Sequence, residues 1–185
     1  MAMEFLDAWK ENWQPVSRAA LAAWMVFYAA FLVHAATSAS GFLIIDNANL
    51  VVHEAGHLLF GWLGPTLGLL GGTLLQLLVP LLLAVSFSYR RHLPGTAFSA
   101  FFFFENFLSV ARYMADARRQ VLPLVSVGGG DDVDHDWFLI FSQFGGLPHD
   151  TSIAAVVRTL GWIGMIATVA WLGVRALRTQ TEQGA

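Results

Sequence analysis

Four stretches of the chain are almost continuously apolar, and its polar residues gather between them. The runs Ala19 to about Ile45, Thr66 to Ser88, Gly95 to about Arg112 and Thr151 to about Leu177 each have the length of a membrane-crossing helix. Ahead of them, Phe5, Trp9 and Trp13 recur at i, i+4 and i+8 with Glu4, Asp7, Lys10 and Glu11 in between. That spacing predicts a short interfacial helix over Met1 to Arg18, ended by Pro15. The leader is acidic, long and aromatic where a cleaved signal needs a short basic one, so the first span is expected to stay. A further segment, from Asp46, Asn47 and Asn49 as candidate caps to about Leu63, is too short at ~1.5 Å per residue to cross a ~30 Å hydrocarbon core. Gly64-Pro65 stops it. The predicted fold is an all-α polytopic membrane protein of four transmembrane helices plus this half-length or re-entrant helix. Residues 1–178 form a single membrane-embedded domain that includes the polar loop 113–136, and residues 179–185 form a disordered tail.

Composition agrees with that pattern. Of 185 residues, 56% are hydrophobic and 12% charged, about half the charged share of a soluble domain. A net charge of −3 with scattered basic residues gives nucleic acid no footing. The surroundings expected are lipid and a membrane-borne or peptide substrate, and the oligomeric state is left open. Basic residues orient the spans. With a half-length motif helix, Lys10, Arg18, Arg90, Arg91, Arg175 and Arg178 fall on one side and Arg112, Arg118 and Arg119 on the other, which puts both termini in the cytoplasm. A fully crossing motif helix leaves almost no bias.

The short helix carries the chemistry: His53-Glu54-Ala55-Gly56-His57 reads H-E-x-x-H. Two imidazoles at i and i+4 share a helix face and can hold one Zn²⁺, with Glu54 placed as general base toward a water. Ionisable groups are costly among lipid and persist where they work, which strengthens the reading. The chain has no cysteine, so His, Asp and Glu must complete a metal site. The acidic loop Asp131 to Asp136 offers the third ligand, His135 or Asp136, with the other orienting it; Asp116 is a further option. A solvated acidic loop is the plainer alternative.

Other polar residues read more quietly. Gly64, Gly68 and Gly72 repeat every four residues, as close helix packing requires. His34 suits a hydrogen bond between helices. Gln76, Glu105 and Asn106 belong inside a bundle, and Gln76 or Asn106 could serve as an oxyanion donor. Phe101 to Phe104 could pack a bundle or line an acyl pocket.

The motif within a hydrophobic helix, followed by glycine-rich sequence and further spans, resembles the site-2 protease family of intramembrane zinc metalloproteases. The resemblance covers about a third of the chain. It implies that His53 and His57 bind zinc and that Glu54 activates water to cut membrane-embedded or juxtamembrane peptide bonds. It also implies a later aspartate ligand, for which Asp136 stands only by analogy, since the family's Asn-Pro and Leu-Asp-Gly signatures and a PDZ domain are absent. A zinc hydrolase acting on a lipid or small amphiphile would use the same residues. A metal-binding protein without activity would need the histidines but not Glu54.

Overall fold

The computed structural model describes residues 12–124 and 135–183, and among these it is wholly α-helical apart from turns and loops. We label the helices α1 (Arg18–Thr37), α2 (Asp46–Phe60), α3 (Pro65–Tyr89), α4 (Leu93–Ala115), α5 (Asp136–Phe144) and α6 (Asp150–Gln183). Most of the expected interfacial helix, the glycines at 128–130, the acidic residues at 131, 132 and 134 and the last two residues of the tail lie outside the described residues; residues 12–17 are not helical.

Local chemistry sets the helix ends. Ser17 caps α1 by accepting the Ala20 N–H at 3.2 Å. That helix stops at Thr37, short of the expected Ile45. The Thr37 hydroxyl donates back to the Val33 carbonyl at 2.8 Å, and Ser38 to Gly41 follow, with Gly41 at φ +66°. The motif helix α2 begins where expected, but Asp46 does not cap it from outside. Its carboxylate instead accepts the Leu43 N–H upstream, at 2.7 Å. A 3₁₀ turn, Gly61–Leu63, continues α2 until Gly64 at φ +111°, and Pro65 opens α3.

Among the described residues, three helical stretches are long and apolar enough to cross a membrane: Arg18–Thr37, Pro65–Tyr89 and Leu147–Thr181. The expected fourth span, α4, is not among them. It is long enough at 23 residues, but Glu105, Asn106, Arg112 and several hydroxyl residues lower its hydropathy. With 15 residues, α2 extends ~22 Å, less than a hydrocarbon core.

The chain divides into two compact units, and α3, α4 and α6 contribute a segment to each. The first unit holds α1, α3 from Val79, α4 up to Phe104 and α6 from Ile163. Its core is aromatic: Phe101, fully buried, lies 4.7 Å from Tyr28 and 5.4 Å from Phe31, and Phe104 fills the space that Gly164 leaves. Within the phenylalanine block, Phe101 and Phe104 are thus packing residues, while Phe102 and Phe103 are partly buried. Here too α6 departs from expectation, running helical to Gln183 through residues assigned to a loose tail. The Gln180 amide donates to the Val16 carbonyl at 2.8 Å, and the Thr179 and Thr181 hydroxyls donate to carbonyls one turn back. His34 is exposed, with Phe31 beside it, rather than enclosed between helices.

The second unit, Ala39–Leu78 and Glu105–Trp162, contains the motif. Val110, Ala111, Met114, Ala117, Trp137, Ile140, Phe141 and Ala154 form its core, which fastens α5 to the end of α4 and the start of α6. Arg118 clamps that junction with a forked pair of bonds to Asp150, Nε to Oδ2 at 2.8 Å and an η nitrogen to Oδ1 at 2.7 Å. Against α2 lies the glycine-rich start of α3. A Cβ on Gly56 would strike the Gly71 carbonyl, one on Gly71 would strike the Gly56 backbone, and one on Gly72 would strike the His53 ring. Of the expected repeat, Gly72 packs against the His53 ring and Gly68 approaches Gly61, whereas Gly64 has open space around it; the close approach of two backbones at the motif is made by Gly56 and Gly71.

Candidate metal centre

Because α2 is regular, His53 and His57 fall on one face, with ring centroids 4.9 Å apart. Each ring is fixed from behind. The His57 Nδ1–H donates to the Gly68 carbonyl of α3 at 2.8 Å. The His53 Nδ1–H donates to Gln76 Oε1 at 3.2 Å, and the Gln76 amide nitrogen is committed to Asn106 Oδ1 at 2.7 Å. Both Nδ1 positions therefore carry their hydrogens away from the centre, and both Nε2 atoms face inward.

What they face is Asp136, the first residue of α5. Its Oδ2 lies 3.1 Å from His53 Nε2 and 3.2 Å from His57 Nε2. Two imidazole nitrogens and a carboxylate oxygen converge, all within 4.8 Å of one another, in a largely buried place where either a proton or a cation can sit between them. This group could hold a metal ion, and among the described residues no other set of three His, Asp or Glu side chains is so arranged.

Charge follows the same logic in the metal-free protein. The hydrogen bond to Asp136 raises His57 to about 9. Burial works to raise Asp136, but the bonds from His53 and His57 outweigh it and hold the carboxyl below its usual range. A metal must therefore displace the His57 proton, while the Asp136 carboxylate is already ionised. Metal affinity is expected to be full only above about pH 9 and to fall by up to ~10-fold per unit below it. Metal titrations between pH 6 and 9 check this, and a flat profile would contradict it.

Glu54 projects from the same helix, half-buried. Burial raises its carboxyl above the ordinary value, although both histidines pull it down.

The other expected ligands stand apart from the cluster. His135 is the N-cap of α5, its Nδ1 accepting the Phe138 N–H at 3.2 Å. Its Nε2 points to Asp116 Oδ2 at 3.5 Å, and burial holds the imidazole below its ordinary range against the pull of that carboxylate. Asp116 is used locally, accepting the N–H groups of Val121 at 3.1 Å and Leu122 at 2.9 Å. Neither joins His53 and His57, whereas Asp136 does.

Sequence reasoning missed the supports. Gln76 suggested an oxyanion donor, but both ends of its amide are committed, one to His53 and one to Asn106. A lone amide in an apolar helix, one turn after Gly72, was the available signal. Nothing in the sequence marked the Gly68 carbonyl. Comparison with protein-family models, curated proteins and solved structures finds no match to this chain.

Proposed function

We propose that this chain is a membrane-embedded zinc metallohydrolase that cleaves peptide bonds in or beside the membrane. The observation that carries the proposal is the convergence of His53 Nε2, His57 Nε2 and Asp136 Oδ2, with Glu54 one residue from a ligand on the same helix.

Three facts favour zinc. Two imidazoles and one carboxylate are a known catalytic zinc donor set that leaves a position open. The nitrogen-to-oxygen separations of 3.1 and 3.2 Å are close to the ~3.3 Å edge of a tetrahedron with ~2.0 Å bonds. Both imidazoles are held by acceptors on Nδ1, as zinc-binding histidines usually are. When bound, the ion supplies Lewis acidity for a carbonyl and lowers the pKa of water.

The chain's own residues do the rest. Glu54, its basicity raised by burial, takes the proton of the attacking water and returns it to the leaving amine. Leu58, Leu59 and Trp62 on and just after the motif helix are exposed apolar side chains, suited to lipid and to apolar substrate segments. Purified protein should contain about one zinc per chain, and His57→Ala should lose it. A metal-free wild type would sink the proposal.

The proposed topology has four spans, α1, α3, α4 and α6, with α2 entering part-way. Both chain termini and Arg90-Arg91 are then cytoplasmic, and the 113–136 segment lies on the far side. Single cysteines introduced into this cysteine-free chain report it through a membrane-impermeant thiol reagent. A cysteine at Arg119 that labels only from the cytoplasmic face would overturn it.

A further inference from the structure

A ligand on α5 must be held to a site built mainly on α2 and α3, and the first turn of α5 shows how. The first N–H groups of any helix have no partner inside it. At α5, the Asp136 N–H donates to the Tyr113 hydroxyl at 3.1 Å, and the Phe138 N–H donates to His135 Nδ1 at 3.2 Å. The Tyr113 hydroxyl, with one hydrogen to give, donates it to Asp136 Oδ2 at 3.4 Å, the oxygen that faces both histidines. One phenol thus holds the backbone and the side chain of the same residue.

Tyr113 is itself held. Its ring packs against His135 with centroids 4.3 Å apart and meets the His53 ring at 5.9 Å. Because His135 Nδ1 is an acceptor, its hydrogen sits on Nε2, which lies 3.5 Å from Asp116 Oδ2 just past α4, a proximity without a hydrogen bond; the Val121 and Leu122 N–H groups fix that carboxylate in turn. Asp116, His135 and Tyr113 are all buried or partly buried. Three polar side chains in a row, each touching the next, end on a single carboxylate oxygen.

We propose that Tyr113, His135 and Asp116 form a latch that sets the position of the Asp136 carboxylate, with Tyr113 as the positioning residue in direct contact with it. This rests on the reading of Asp136 as a metal ligand. The latch explains why His135 lies beside the ligand without being one. It also gives Tyr113, the last aromatic of α4, a role in the site without contact to the metal.

The probe is Co²⁺, whose visible spectrum reports ligand geometry. Tyr113→Phe removes one oxygen and keeps the ring. His135→Asn keeps a capping side chain while withdrawing the ring from Tyr113 and the contact with Asp116. Each should weaken Co²⁺ binding at least ~10-fold and alter the Co²⁺ spectrum, with little change in the melting temperature of the chelated protein. Wild-type affinity and spectrum in Tyr113→Phe would overturn the latch. The metal-free protein offers an independent reading, because amide exchange at Asp136 depends on the Tyr113 acceptor whether or not metal binds. Exchange should quicken at least ~10-fold in Tyr113→Phe, since that N–H then has no partner. Unchanged exchange rejects the latch. A wild type that binds no Co²⁺ yet shows faster Asp136 exchange in the variant would reject the metal reading and leave the latch standing.

Discussion

Glu54→Gln should leave the metal content of the protein unchanged while lowering turnover by ~10²–10⁴. The expectation comes from a division of labour on one helix. His53 and His57 direct Nε2 at Asp136, whereas Glu54 is not one of the three groups that converge there. An amide in its place has nearly the same shape but no basic lone pair with which to take a proton. Burial raises the Glu54 carboxyl, which brings its basicity nearer to neutral pH, where a general base is most effective. Membrane proteomes of cells carrying wild type or Glu54→Gln supply the measurement, with uncut substrates accumulating in the variant. Should the variant fully rescue a deletion, the protein binds metal for a purpose other than hydrolysis.

Asp136→Ala should lower zinc affinity by ~100-fold or more, clearly beyond the ~10-fold expected of His135→Ala. Asp136 Oδ2 lies 3.1 and 3.2 Å from the two histidine nitrogens, so its loss removes a donor and the charge that balances the cation. His135 touches neither histidine of the motif and acts through Tyr113 and the cap of α5. Competition with a chromophoric chelator ranks the variants. Equal losses, or a larger loss in His135→Ala, would mean that the carboxylate is not the third ligand.

Much of the site was legible because its central pattern is local. The i, i+4 spacing fixes two imidazoles on one face whatever surrounds them, and Gly64-Pro65 ends the helix by backbone geometry alone. The choice between His135 and Asp136 was not legible. Adjacent residues are equally near in sequence, and only the start of α5 decides which side chain turns inward and which caps the helix. The end of α1 escaped because Thr37 to Ile45 is as apolar as a span, and hydropathy does not register a hydroxyl bonding back to a carbonyl or a glycine at positive φ. The length of α6 escaped for the opposite reason. Polar residues after Leu177 look like a tail until Gln180 finds the Val16 carbonyl, 164 positions away.

The two motif histidines are not equivalent in how substitution can reach them. The acceptor behind His57 is a backbone carbonyl, that of Gly68, which every amino acid possesses, so no replacement at position 68 can delete that atom. The acceptor behind His53 is the side chain of Gln76. Any tuning of the centre through the atoms behind its imidazoles, whether by natural drift or by design, must therefore enter on the His53 arm. A carboxylate at position 76 would make that imidazole a stronger donor, and an apolar residue would free it to turn. The His57 arm would keep its setting through both changes, a fixed reference beside an adjustable one.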